Sequence, residues 1–229
     1  MQPLEVAIDA VAAETGFSGI VRVDRGGDEL VRAYGLADRA HGIPNATDTQ
    51  FALASGAKSL TALTIVSLIV DGSLELATTA RSVLGEDLPL IAGDVTIEHL
   101  LAHRSGIGDY FDEHAGHVMT DYALQVPVHT LTTTEDYVGI LDGHPTVFPA
   151  GTELVRPRSE VPRNEGRYGL GFWLHATSAI VAMEGYDAGV SFRSEHHPTT
   201  GTTHTVISNT SEGAWPVWSA SPSSSTSKM

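Results

Sequence analysis

An apolar stretch, Leu60–Val70, carries no charged residue and is followed directly by Asp71 and Gly72. Its content of Leu, Ile, Val and Ala favours a helix, and a glycine at this place is typical of a helix C-terminus. The stretch is too short to span a bilayer, and it contains Thr and Ser. The sequence therefore predicts a helix that begins near Phe51 and ends near Asp71.

A serine and a lysine stand near the start of this helix, one turn apart. Ser55 and Lys58 fall on the same face, where Lys58 can reach the Ser55 hydroxyl and the helix dipole favours developing negative charge. A serine becomes a strong nucleophile when a neighbour takes its proton, and a buried lysine, unlike arginine, can do so. The chain has eleven Arg but only two Lys, and Lys58 is the only Lys before the C-terminal tail.

The same spacing also has a plainer interpretation. A serine that caps a helix, followed by a solvated lysine on the first turn, produces the same pattern without any chemistry. A second match, Ser225–Lys228, lies in the C-terminal tail and is interpreted as chance. The flanking residues are therefore needed to decide between a nucleophile and a cap.

Four stretches, in order along the chain, resemble one family. Phe51–Ala62 is similar to the nucleophile segment of the serine β-lactamase-like family, which contains class C β-lactamases, D-Ala-D-Ala carboxypeptidases and related esterases. The other stretches are Phe17–Asn45, Val95–Tyr110 and Phe148–Thr152. Because they occur in the family's order, the resemblance covers about residues 15–152.

The resemblance implies an α/β fold of the α+β type, with an antiparallel sheet flanked by helices and a reduced helical subdomain. The expected organisation is one domain, residues 1–218, with a shortened helical insert at about 72–165. A Ser-rich tail, residues 219–229, lacks core-forming residues and is expected to be disordered.

Local patterns agree with this fold class. A helix is predicted over residues 3–15, followed by a hairpin around Arg25–Asp28. Pro216 is expected to interrupt a helix near the C-terminus. Two more helices and four strands are predicted: Thr96–His103, Thr132–Leu141, Tyr168–His175, Ala179–Met183, Gly189–Arg193 and Thr202–Ser208.

The family's second motif, Tyr-x-Asn or Tyr-x-Ser, does not follow Phe148–Thr152. By comparison with the family's usual length, this implies an internal deletion on the order of a hundred residues, the size of a domain. In the family, the tyrosine of this second motif serves in proton transfer. Tyr110 and Tyr186 are the candidates by sequence neighbourhood to replace it.

The family's third motif, Lys-Thr-Gly or His-x-Gly, has its best positional match at Tyr186-Asp187-Ala188, followed by Gly189. The resemblance implies that the Gly189 N–H could serve as a second oxyanion donor beside the N–H of Ser55. The alternative is that Gly189 simply forms a tight turn into a strand.

The family resemblance implies a serine hydrolase that acts on an ester or amide through an acyl-enzyme, with Ser55 as nucleophile and Lys58 as base. The alternative is a catalytically impaired, truncated member that binds a ligand or partner, since loss of the helical region would expose apolar surface and favour a homo-oligomer. Metal chemistry ranks below both. His99 and His103 are interpreted as structural, and His114 and His117 as part of a solvated acidic loop.

Charge and composition limit the partners further. A net charge of −15 disfavours nucleic acid and anionic membranes as partners, and the lack of Cys excludes thiolate chemistry. No signal segment is recognised at the N-terminus, so a cytoplasmic location is expected. The expected partner is a small-molecule ester or amide, with no cofactor and no metal.

Overall fold

The computed structural model describes residues 2–109, 124, 126–152, 166–175 and 177–220. The chain divides into two compact units. The first comprises residues 1–61, 165–167 and 172–229, and the second comprises residues 62–164 and 168–171. The second unit contains most of the predicted helical insert, and most of the predicted tail lies outside the described residues.

A seven-stranded sheet dominates the first unit. Its strands are β1 (Gly19–Arg25), β2 (Asp28–Tyr34), β5 (Gly166–Tyr168), β6 (Trp173–His175), β7 (Val181–Asp187), β8 (Val190–His197) and β9 (Thr202–Ser208). The order across the sheet is β2-β1-β9-β8-β7-β6-β5, and the pairings from β2 to β6 are antiparallel. Two short strands, β3 (Leu36–Asp38) and β4 (Ile43–Pro44), form a separate ladder. The predicted α/β class with an antiparallel sheet is confirmed.

The strand predictions differ from the structure chiefly at their ends. The hairpin of β1 and β2 turns at Gly26 and Gly27, both with positive φ, as the sequence predicts. The segment Tyr168–His175, predicted as one strand, is instead the end of β5 and the whole of β6. Gly171 lies between them with a φ of 83°, a left-handed conformation that breaks an extended strand.

Two helices of the first unit build its apolar core. They are α1 (Gln2–Thr15) and α6 (Ala214–Ser219), and their buried side chains pack with those of β1, β2 and β9. Ile8, Val21, Val206 and Val217 are fully buried there. The prediction that Pro216 interrupts the terminal helix is wrong. Pro216 lies in the first turn of α6, where the N–H that proline lacks has no helical acceptor.

Polar side chains continue this buried layer from β9 towards β7. These side chains are Glu184, Arg193, Glu195, His197 and His204. Arg193 pairs with Glu184 and with Glu195, and Glu195 lies 3.6 Å from His197. Burial lowers the pKa of His204 to about 4, with His197 and Arg193 adding to the effect, so its imidazole is neutral at pH 7.

Beside the larger part of the apolar helix, the second unit contains three short helices: α3 (Ala80–Leu84), α4 (Ile97–Leu101) and α5 (Thr134–Leu141). Thr96 and Thr133 cap α4 and α5 through capping boxes. The ring of His99 completes the first of these, because its Nδ1 lies 3.3 Å from the Thr96 N–H that donates to it. The His103 ring packs edge-on against Tyr168 with centroids 4.5 Å apart.

The long helix α2, Ala57–Val70, is the one anticipated from the apolar run, but it begins at Ala57 rather than near Phe51 because the 3-10 turn Ala54–Gly56 precedes it. Its apolar residues point in all directions and are widely exposed, with exposed fractions of 48% at Leu60, 52% at Leu63 and 83% at Val70. An apolar helix of this kind is normally covered on most sides. In the part of the chain that the structure describes, no helix is both long and apolar enough to traverse a bilayer.

Candidate active site

The segment before α2 holds the predicted nucleophile. Ser55 lies in a single 3-10 turn, Ala54–Gly56, which leads directly into α2. We call it the nucleophile turn. The Lys58 Nζ lies 2.9 Å from the Ser55 Oγ and donates a hydrogen bond to it. Ser55 and Lys58 are both exposed, whereas the sequence hypothesis invoked a buried lysine.

Tight geometry fixes the nucleophile turn. Ala54 has a φ of 46°, a left-handed conformation that is uncommon for a residue with a side chain. Such strain tends to occur at functional sites, where the surroundings hold it in place. Gly56 is buried, and a Cβ added to it would lie 2.5 Å from the Phe192 ring of β8. Only glycine therefore fits directly after Ser55.

Strand β7 approaches the same turn from the side. A Cβ added to Gly185 would collide with the Leu53 carbonyl oxygen and would lie 2.8 Å from the Gly56 nitrogen. Backbone thus rests on backbone at this point, which only glycine allows. The sequence analysis missed Gly185, although a glycine in the middle of a strand is a known sign of a close backbone approach.

Gly189, which the sequence suggested as the second oxyanion donor, does not lie against the nucleophile turn as Gly185 does. Gly189 lies in the turn between β7 and β8, with a φ of 75°, and its N–H donates to the Ser211 hydroxyl at 2.9 Å. This position matches the alternative of a tight turn. An oxyanion role for Gly189 remains a prediction, and it would require Gly189 to give up the bond to Ser211.

Tyr186 is the tyrosine candidate that the structure describes. Tyr186 forms a side-chain hydrogen bond with Glu212, which raises the pKa of the phenol and makes it a weaker proton acceptor. Successive side chains of a strand point to opposite faces, so the Tyr186 ring lies on the face opposite the one that Gly185 offers to the nucleophile turn. Tyr110 lies outside the described residues.

No group of three or more His, Asp or Glu side chains within the described residues could hold a metal ion. His114 and His117 lie outside those residues.

We expect Gly185→Ala to lower esterase turnover by about 10²-fold or more, because the methyl group would force β7 and the nucleophile turn apart. Hydrolysis of p-nitrophenyl acetate measures the loss. Gly139→Ala, in open space on helix α5 and without a left-handed φ, is the matched control for a glycine-to-alanine change and is expected to retain activity. Equal activity of Gly185→Ala and wild type would contradict this geometry.

The β-lactamase family profile matches residues 4–154, which include the nucleophile turn and Lys58. The chain belongs to the β-lactamase family. The match ends before β7, so the strand that contacts the nucleophile turn is identified by the structure alone.

Relatives within the β-lactamase family include an esterase. Esterase EstB of Burkholderia gladioli is 40% identical over 121 residues, which are 50% of this chain and 31% of that protein. The chain thus spans about a third or less of the curated relatives it matches.

Solved structures share the fold. A penicillin-binding protein from Bacillus halodurans superposes with a TM-score of 0.80 at 22% identity, covering 93% of this chain and 98% of the other. The octameric penicillin-binding protein homologue from Pyrococcus abyssi superposes with a TM-score of 0.72 at 15% identity, covering 96% of this chain and 76% of the other. At these identities the likeness establishes the β-lactamase-like fold.

Proposed function

We propose that this β-lactamase-family chain is a serine hydrolase that cleaves esters through an acyl-enzyme. The observation that carries the proposal is the 2.9 Å hydrogen bond between Lys58 Nζ and Ser55 Oγ. Neutral Lys58 takes the Ser55 proton as Oγ bonds to the substrate carbonyl carbon. The tetrahedral intermediate then collapses, and the alcohol leaves with the proton that Lys58 returns to it. Lys58 next takes a proton from water as the water oxygen attacks the acyl-enzyme carbonyl, and it passes that proton to Ser55 Oγ as the acid is released.

The negative oxygen of that intermediate needs two donors. The N–H of Ser55 is one. For the second we propose the N–H of Tyr186, the residue after Gly185. Asp187 and Val190 pair next to the hairpin turn, so they form a hydrogen-bonded pair. Pairs alternate along an antiparallel ladder, which makes Tyr186–Ser191 non-hydrogen-bonded and turns the Tyr186 N–H away from β8, towards the other edge of β7.

Esters are the proposed substrate class rather than amides, β-lactams or D-Ala peptides. An alkoxide leaving group needs less protonation than an amine does, so an ester requires less from a second acid. The Tyr186 phenol, a candidate for that acid, is engaged by Glu212. The similarity to esterase EstB supports the same choice.

Labelling with a fluorescent fluorophosphonate tests the proposal directly. The reagent phosphonylates activated serines, and ordinary serine hydroxyls do not react with it. The expected result is one label per chain, located by mass spectrometry on the peptide that contains Ser55. A folded sample that takes up no label, or takes it up on another serine, would contradict the proposal.

We also propose that the chain self-associates through the exposed apolar side of α2. Apolar patches of this kind on soluble proteins mark interaction surfaces. Leu63 and Val70 are more than half exposed, and an octameric homologue has the same fold. Sedimentation velocity is expected to show a species larger than the 24.2 kDa monomer. A stable monomer at micromolar concentration would contradict self-association and leave the hydrolase proposal standing.

A further inference from the structure

The part of β7 that meets the nucleophile turn is held by few backbone bonds. β8 pairs with β7 over its whole length, Val181–Asp187. On the opposite edge, β6 pairs only with Val181 and Ala182. Within the described residues, positions 183–187 therefore have a strand neighbour on one side. A strand half with a single neighbour shifts more easily than one held on both edges.

A small shift of this half would matter for the chemistry. Gly185 sits directly on the backbone of Leu53 and Gly56, on either side of Ser55. The N–H of Tyr186 comes next along the strand. An oxyanion donor works only if it is already aimed at the position of the developing charge. The position of β7 relative to the nucleophile turn therefore needs a fixed support from elsewhere.

The other face of the sheet supplies that support. The side chain of Glu184 points away from the nucleophile turn because it neighbours Gly185 in the strand. It forms an ion pair with Arg193, its register partner on β8. Both side chains are 13% exposed. Among the arginine–carboxylate ion pairs of the described residues, those of Arg193 are the most buried.

Arg193 is itself held on two further sides. Its Nε and Nη2 donate to the Glu195 Oε1, at 2.9 and 2.5 Å. Its guanidinium lies 4.2 Å from the centroid of the Trp218 ring on α6, a cation–π contact. Three partners leave the guanidinium little freedom to turn, so it is a rigid anchor for Glu184.

We propose that Glu184 and Arg193 are positioning residues for the oxyanion donor: their ion pair fixes β7 from the helix-covered face and so aims the Tyr186 N–H at the reacting carbonyl. The inference rests on the proposed hydrolase function and adds the part of the sheet that preorganises it. Neither side chain touches substrate. An ion pair that served stability alone would affect unfolding and leave transition-state binding unchanged.

The test compares Glu184→Gln with wild type. Glutamine keeps the size of the side chain and one oxygen acceptor for Arg193 but loses the charge. We expect kcat for p-nitrophenyl acetate to fall about 10- to 100-fold, with KM changed less than twofold. The inhibition constant of phenylboronic acid, which forms a tetrahedral adduct with a nucleophilic serine, is expected to rise by the same factor. Glu184→Asp retains the charge and is expected to recover part of the activity.

Glu5→Gln is the matched control. It removes the charge from another ion pair, Glu5–Arg32, which joins α1 to β2 and does not involve β7. We expect wild-type kcat and boronate affinity from it. Circular dichroism selects a temperature at which every variant is folded, and Glu184→Asp serves as the test variant if Glu184→Gln does not fold.

Three outcomes overturn the inference, and they are distinguishable. Unchanged kcat and boronate affinity in a folded Glu184 variant, with normal Ser55 labelling, would reject the positioning role and leave the hydrolase intact. Equal losses in Glu5→Gln would assign the effect to general destabilisation. A folded wild type with neither labelling nor turnover would overturn the proposed function and this inference together.

Discussion

Replacement of Ser55 by alanine is expected to reduce p-nitrophenyl acetate hydrolysis by about 10⁴-fold or more, to the spontaneous rate, and to abolish fluorophosphonate labelling. The reason is chemical: the Oγ that accepts the acyl group is gone, and Lys58 has no proton to take. Ser55 is an exposed residue of a tight turn. Its loss is therefore expected to change the free energy of unfolding by only about 1 kcal/mol.

Ser67→Ala is the control for this variant. Ser67 is an exposed serine of α2, so the change removes the same hydroxyl group without touching the nucleophile turn. It is expected to keep wild-type turnover and labelling. Residual hydrolysis in Ser55→Ala well above the spontaneous rate would point to a different nucleophile and would reject the acyl-enzyme route.

Replacement of Lys58 by arginine is expected to lower kcat/KM by about 10²- to 10⁴-fold. Arginine keeps the positive charge and the ability to donate a hydrogen bond to Ser55, but it does not give up its proton in proteins. The variant therefore separates a base from a mere counter-charge. Because Lys58 is exposed, the free energy of unfolding of the arginine variant is expected to stay within about 0.5 kcal/mol of wild type.

Lys58→Gln completes this comparison by removing the charge as well. If Lys58 acts as a base, the arginine and glutamine variants lose similar amounts of activity. An arginine variant that retained most of the activity, beside an inactive glutamine variant, would show that only the charge is needed. The proton of Ser55 would then have to leave through water or another side chain.

Sequence patterns with a short period predicted individual helices and strands well. Alternating residues around Gly26 and Gly27 fixed the hairpin of β1 and β2, and the apolar run fixed α2. The pairing of Ser55 with Lys58 followed from helical spacing alone, although the serine lies on a 3-10 turn. These features depend on neighbours in the chain, which a sequence displays directly.

Features that depend on distant parts of the chain were harder to find. The contact of Gly185 with Leu53 joins residues that are far apart in sequence, and a glycine within a strand indicates a close backbone approach without showing which segment approaches. The search for a third motif therefore settled on Gly189, three residues past Tyr186. The burial of Glu184 and Arg193 was missed for the same reason, since a strand with charged residues resembles a solvated one.

The scarcity of lysine gives the reaction centre an unusual chemical vulnerability. Lys58 and Lys228 carry the only side-chain amines of the chain, and Lys58 is exposed. Reductive methylation, amine-coupled dyes and immobilisation on activated esters would all modify the group that holds Ser55. Surface attachment of this protein is therefore better directed to carboxylates, of which it has 28 on side chains.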